Sequence, residues 1–241
     1  MDCFVYSHVG GREGNEDFAD YYQTPQADGC FVVCDGLGGH GKGEVASQLV
    51  VKSLLESVEG KPLSQEELLE DGILYAQNTL LQAQRDLNAE SEMKTTVVAL
   101  RIFDNQAQWA HVGDSRLYLF RKKKVFARTL DHSVPQMLVA AGEIKEKDIR
   151  NHADRNRLIR VMGIQWNAPK YEVSQVVNVE PGDAFLMCTD GFWELITEKE
   201  MIKCLKKAHS CQEWLEKMGE LVLKHGKGKN MDNNTAIGVI L

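Results

Sequence analysis

Apolar and polar positions along the 241-residue chain follow two rhythms. Short runs that alternate with a period of two, or are apolar throughout and bounded by glycine and polar turns, predict strands at residues 3–9, 17–22 and 30–34. A period of three to four follows, in which Ala46, Leu49, Val50, Ser53 and Leu54 share one face of a helix predicted from about Glu44 to Ser57. A longer helix comes next. Ser64 and Glu67 read as its capping box, and Leu69, Ile73, Ala76, Leu80, Ala83 and Leu87 form one apolar stripe suited to packing on a sheet. Four strand-like runs then come in quick succession, TTVVALRIF, AQWAHV, RLYLFR and KVFARTL, separated by DNQ, GDS and KK turns, and predict an antiparallel meander. A polar, mostly helical stretch covers residues 133–163. Strands at 171–179 and 183–188, helices at about 198–207 and 211–224, and a strand at 235–241 complete the chain. Strand runs segregated from helix pairs predict an α+β fold, two sheets packed face to face with helices outside.

Composition narrows the partners. A net charge of −7 gives no general attraction to nucleic acid. The one basic run, Arg121 to Lys124, falls between two apolar stretches as a hairpin tip. No segment approaches the roughly 18 apolar residues of a membrane span. MDCFVYSHVGG lacks a basic region followed by an apolar one, so no signal peptide is expected. The six cysteines sit mostly in apolar surroundings without paired C-x-x-C spacing, which predicts reduced core thiols and a cytoplasmic protein. With 43% hydrophobic residues and no linker or repeat, one compact domain spanning residues 1–241 is expected.

The candidate chemistry lies in two distant but similar segments, FVVCDGLGGHG at 31–41 and FLMCTDGFWEL at 185–195. Each is an apolar strand delivering an aspartate, Asp35 or Asp190, to a glycine turn, which places a carboxylate at a sheet edge. Oxygen ligands of this kind suit Mg²⁺ or Mn²⁺ rather than zinc, and a third aspartate, Asp232, stands just ahead of another apolar strand. Asp-Gly is also a common turn dipeptide, so the set carries the inference rather than either segment alone. The first segment imitates a phosphate-binding loop, but Gly43 stands where that loop needs Ser or Thr after Lys42. It also spells G-x-G-x-x-G, but the region about 20 residues on, SLLESVEG, completes a helix instead of ending a parallel strand in an acid.

Eight motifs in order together resemble the metal-dependent type 2C Ser/Thr protein phosphatases in their compact bacterial form. They are RxxNED at 12–17, DGxGGHxxGExAS at 35–47, Thr95-Thr96, HVGDSRLYLFR at 111–121, DHSxxxxLVxAGEI at 131–144, NRLIRVMG at 156–163, PGDxFLMCTDGFWE at 181–194 and DNNTAIG at 232–238. The resemblance implies an αββα sandwich, a binuclear Mn²⁺/Mg²⁺ centre and hydrolysis of phosphoserine and phosphothreonine. By the same resemblance Asp35 bridges the metals, with the Gly36 carbonyl beside it and Asp190 and Asp232 as further ligands. Glu16 contacts a metal directly or through water and Asp17 supports it, Asp114 pairs with Asp190 at a third, weaker ion, and Arg12 grips the substrate phosphate through its planar fork.

One departure from the family stands out. Animal members carry His directly after the Asp-Gly, proposed as the acid that protonates the leaving group, whereas this chain has Leu37. His40 and a metal-bound water are the alternative acids, the water being the more economical, and His111 and His132 read as core groups. The stretch at about 133–156 resembles the family's flap beside the active site. The partners implied are phosphoproteins made by a Ser/Thr kinase, met by a monomer. The opposing reading is a phosphatase-like binding module without turnover, against which the complete carboxylate set argues.

Overall fold

In the computed structural model, described at residues 1–25, 28–38, 42–90 and 92–241, the chain opens with β1 (Asp2–His8), β2 (Asp17–Gln23) and β3 (Gly29–Leu37). Two helices follow, α1 (Lys42–Val58) and α2 (Leu68–Leu87). Then come β4 (Lys94–Thr95), β5 (Val97–Phe103), β6 (Gln106–Val112), β7 (Arg116–Arg121) and β8 (Lys124–Arg128). Next are α3 (Val134–Ala140), a 3-10 turn at Glu146–Asn151, β9 (Glu172–Val173), β10 (Val177–Asn178) and β11 (Ala184–Cys188). The chain ends with α4 (Asp190–Trp193), α5 (Glu198–Leu205), α6 (Cys211–Gly226) and β12 (Asn234–Ile240).

The strands form two antiparallel sheets, ordered β1-β12-β11-β7-β8 and β10-β6-β5-β3-β2, with β4 on β3 and β9 on β6. Burial on both faces explains why the central strands look apolar throughout. Along β3, Phe31 and Val33 point between the sheets while Cys30, Val32 and Cys34 face α1 and α2. Along β11, Phe185 and Met187 meet them from the other sheet, and Leu186 and Cys188 pack under α6 with Trp214 and Leu215. The result is the expected αββα sandwich. No helix is long and apolar enough to cross a membrane among the described residues, and all six cysteines are free thiols.

Four local expectations are corrected. The second helix begins at Leu68, because Glu67 takes a left-handed conformation (φ 55°) and makes no side-chain cap, which leaves Ser64 in a preceding turn. Its stripe also fades, since Leu87 is half exposed where the helix runs past the sheet. The predicted meander splits: β5 and β6 lie in one sheet, β7 and β8 in the other. Gly113 (φ +106°) lets the chain cross between them, and a Cβ there would lie 2.6 Å from the Thr96 side chain. Residues 171–179 give only two-residue strands because Ser174 turns inward, its backbone N–H donating to Trp109 O while its hydroxyl accepts from the Trp109 N–H. The stretch 133–163 is less helical than its composition predicts, with α3 and the 3-10 turn followed by irregular chain. The turns behave as read: Lys122 and Lys123, like Asp104 and Asn105, hold positive φ at two-residue hairpin tips.

Candidate metal centre

One end of the sandwich gathers the candidate residues because strands of both sheets terminate there. Asp17 starts β2 and faces Asp35 near the end of β3 in antiparallel register. Asp190 follows β11, Asp232 precedes β12, and Asp114 sits in the crossing between β6 and β7. Between these ends lies a cavity of about 650 Å³ lined by Arg12, Glu16, Asp35, Gly36, Asp114, Asp190 and Asp232, with Glu13 and Glu44 at its wall. Among the described residues, seven carboxyls thus face one guanidinium. Of the sequence-predicted set, Asp17 stands behind the cavity rather than on it, buried with its Oδ2 accepting from the Thr189 hydroxyl at 2.8 Å. His40 lies outside the described residues. His111 and His132 are buried away from the cavity.

Backbone and hydroxyl contacts hold these groups in place. The Asp35 N–H donates to Thr96 Oγ1 (3.0 Å), the Thr95 hydroxyl donates to Asp35 O (2.7 Å), and Thr96 Oγ1 pairs with Ser115 Oγ (2.7 Å). The TT pair therefore ties the strand end at Asp35 to the turn that carries Asp114. Trp193 Nε1–H donates to Asp114 O (3.0 Å), and beneath it the buried Arg116 makes a two-pronged pair with Asp131 at 2.8 and 2.7 Å. Gly36 is required by close approach: a Cβ would lie 2.2 Å from the Gly43 carbonyl oxygen and 2.5 Å from that of Glu16. Gly191 is confined likewise, with a Cβ 2.1 Å from Asn233 O.

Electrostatically the cavity is short of positive charge. Burial first, and then the neighbouring Asp190, Asp17 and Asp114, hold the Asp35 carboxyl well above the ordinary carboxylate range. Burial likewise pushes Asp17 up to about 8 and Asp190 to about 6, and raises Asp114 and Glu16. One Asp190 oxygen, Oδ1, is buried with no hydrogen-bond partner, although an unpaired buried acceptor is costly. An all-oxygen donor set of this kind fits a hard divalent cation such as Mn²⁺ or Mg²⁺. Among the described residues no three of these carboxyls bring oxygens within 4.8 Å of one another. They ring the cavity instead.

A different trio, His111, His132 and Glu172, does converge within 4.8 Å. Its groups already have partners: His132 Nδ1 accepts from the Gly113 N–H (3.1 Å), and Nε2 lies 3.2 Å from Glu172 Oε1 and 3.1 Å from Arg160 Nη1. His111 donates from Nε2 to Leu130 O at 2.8 Å, and Arg160 supplies the positive charge for Glu172. Burial lowers the His111 pKa and holds His132 down to about 4, so both stacked rings are neutral and structural, as the sequence predicts.

Two residues carry more than sequence reasoning assigned them. Asn233 accepts from the Glu16 N–H and donates to two carbonyls of the loop that bears Arg12, and Thr189 holds Asp17. The only signal for either is its place next to a candidate aspartate. Arg12 itself is half-exposed at the cavity rim, its Nη2 2.8 Å from Asp232 Oδ2.

Comparison with known proteins gives a consistent picture. A family profile described as protein phosphatase 2C matches residues 6–224. The serine/threonine phosphatase stp of Listeria innocua is 34% identical over 211 residues, covering 84% of this chain and 81% of that one. The crystal structure of the Mycobacterium tuberculosis serine/threonine phosphatase PstP/Ppp superposes with a TM-score of 0.87 at 26% identity, over 99% of this chain and 97% of that one. A structure of the PstP catalytic domain in complex with two manganese ions gives a TM-score of 0.83 at 26% identity, over 98% and 96% of the two chains.

Proposed function

The chain belongs to the protein phosphatase 2C family, and on that premise we propose that the carboxyl-ringed cavity is where a phosphoserine or phosphothreonine of a protein substrate loses its phosphate to water. The protein is a metal-dependent serine/threonine phosphoprotein phosphatase that uses Mn²⁺ or Mg²⁺. The observation that carries the assignment to this cavity is its charge, seven carboxyls against one guanidinium with an unpartnered Asp190 oxygen among them.

In this reading Asp35, Asp190 and Asp232, with the Gly36 carbonyl, would hold the two main ions, and Glu16 would contact one of them directly or through water. Asp114 and Asp190 would hold a third, weaker ion. Such ions would supply an acidified water as nucleophile and positive charge for the phosphoryl oxygens. The protein's own residues do the positioning. Arg12 at the rim offers its fork to the phosphate, leaving Asp232 for that purpose. Thr95 and Thr96 fix the Asp35 backbone, and Thr189 keeps Asp17 behind the cavity. The whole of residues 1–241 acts as one catalytic domain, with 133–156 as a flap over the cavity. It works as a monomer on cytoplasmic proteins phosphorylated by a Ser/Thr kinase.

The test is hydrolysis of p-nitrophenyl phosphate and of a phosphothreonine peptide after chelation, with metals added back. Activity is expected to vanish in EDTA and to return with Mn²⁺ more strongly than with Ca²⁺, which takes more ligands at longer distances. Asp35→Asn and Asp190→Asn are each expected to lose about 100-fold or more in kcat while remaining folded. Full activity in excess EDTA would overturn the metal assignment. Metal binding without turnover in the wild type would instead favour the binding-module reading.

A further inference from the structure

Beside the carboxyl-ringed cavity lies a second one of about 610 Å³, which shares with it Arg12, Asn156, Asp190 and Asp232. The two differ in charge. Among the described residues the first has Arg12 as its one cationic wall residue, whereas the second adds Arg150, Arg155 and Lys229 and only one further carboxyl, Glu194. In a chain of net charge −7, and next to a strongly acidic cavity, this lobe is the exception.

Its cations are not all consumed by internal pairs. Arg155 Nε meets Glu194 Oε2 at 3.1 Å and Arg150 Nη2 meets Glu198 Oε1 at 2.6 Å. Among the described residues Lys229 forms no ion pair, whereas Arg150 Nη1, which also lacks an acceptor, is buried and closed to a ligand. Arg155 and Lys229 are exposed and come from different segments, one from the chain after the 3-10 turn and the other from the loop between α6 and β12. A polypeptide whose phosphate is held at Arg12, on the wall common to both cavities, has consecutive Cα atoms 3.8 Å apart. A residue one to three positions from the phosphorylated one can lie up to roughly 10 Å from it, a span on the scale of a cavity that shares this wall.

We propose that this second cavity is a subsite for an anionic side chain of the substrate, a carboxylate or a second phosphate, within three residues of the phosphoserine or phosphothreonine being hydrolysed. The subsite rests on the phosphatase reading above. Lys229 and Arg155 are its recognition groups, and the flap residue Arg155 gives the flap a direct part in choosing substrates.

The test uses the full chain with Mn²⁺ and phosphothreonine peptides that are alanine-rich except for one Glu, or one phosphoserine, placed in turn at each position from three before to three after. The expected result is a gain in kcat/KM of about fivefold to tenfold at one or two positions, the range for one or two exposed ion pairs. Lys229→Gln and Arg155→Gln should each reduce that gain and together abolish it, with p-nitrophenyl phosphate turnover unchanged. Lys229→Glu should shift the preference toward peptides with Lys at the same positions. The Glu and phosphoserine arms distinguish the two sources of negative charge. A response within twofold at every position, or a gain that survives in the double variant, would overturn the subsite alone. Absence of p-nitrophenyl phosphate turnover in the wild type would overturn the phosphatase reading and the subsite with it.

Discussion

The side-chain carbonyl of Asn233 accepts a hydrogen bond from the backbone N–H of Glu16 at 2.8 Å, across 217 positions of sequence. Its amide nitrogen meanwhile donates to Val9 O at 2.8 Å and Gly14 O at 2.9 Å. One buried amide thus fastens the whole loop that presents Arg12 and Glu16 to the strand start that presents Asp232. Partners of this kind, one step behind metal ligands, typically change metal affinity or activity by about 10–100-fold when removed. Asn233→Ala is expected to lower activity within that range and to move the Mn²⁺ activation curve to higher concentration. Asn233→Asp keeps the acceptor and loses both donors, so it should fall between. An unchanged Mn²⁺ curve in Asn233→Ala would show that the loop holds itself.

The charge imbalance of the cavity makes the metal-free protein sensitive to pH. Asp17 is pushed up to about 8, and Asp35 and Asp114 lie well above their ordinary range, in each case chiefly by burial. The folded state therefore holds protons that the unfolded chain, with aspartates near 4, has already released. A group raised in this way contributes stability below its unfolded pKa that is lost as the pH rises through its folded pKa. In EDTA the melting temperature is expected to fall by several degrees from pH 6.5 to 8.5, a window chosen to lie above the range in which the buried histidines charge. Saturating Mg²⁺ should remove most of that fall by supplying the missing positive charge. A melting temperature independent of pH in EDTA would contradict the burial of these carboxyls.

The catalytic end is legible in the sequence where a strand carries its aspartate rigidly. Asp35 and Asp190 each close an apolar run whose every residue is buried, so strand, burial and turn all agree. The sandwich itself is legible for the same reason. Residues joined only by long-range contacts are not. Nothing near Asn233 announces a bond to Glu16, and the split of β6 from β7 between sheets depends on Gly113 packing against Thr96. The Ser64 and Glu67 capping pattern misleads because a short signal of that kind is outweighed once Glu67 adopts positive φ. The second cavity is likewise invisible in sequence, since Arg155 and Lys229 look like ordinary surface charges until the fold brings them together.

Thr96 offers a test of how Asp35 is held. Its hydroxyl accepts from the Asp35 N–H and pairs with Ser115 Oγ, with no exposure to solvent. Thr96→Val keeps the shape but strands both partners, which typically costs about 1–3 kcal/mol. Urea unfolding should show a lower midpoint at an unchanged slope, and kcat should fall because the freed hydroxyl and amide sit next to Asp114 and at Asp35. Wild-type stability in Thr96→Val would mean that water replaces the hydroxyl.

Arg12 separates substrate binding from metal organisation. Its guanidinium rests on Asp232 at 2.8 Å, half-exposed at the rim. If its task were to set Asp232 for the metal, removing it would shift the Mn²⁺ activation curve. If its task is to take the phosphate, removal should spare the curve and raise KM. Arg12→Ala is expected to follow the second pattern, with a loss in kcat/KM of about 1.5–3 kcal/mol, the range for hydrogen bonds to charged groups. Arg12→Lys should recover little of it, since an ammonium keeps the charge and lacks the two-pronged fork. A shifted Mn²⁺ curve with unchanged KM would reassign Arg12 to the metal centre, and full rescue by Lys would show that charge alone is what the phosphate requires.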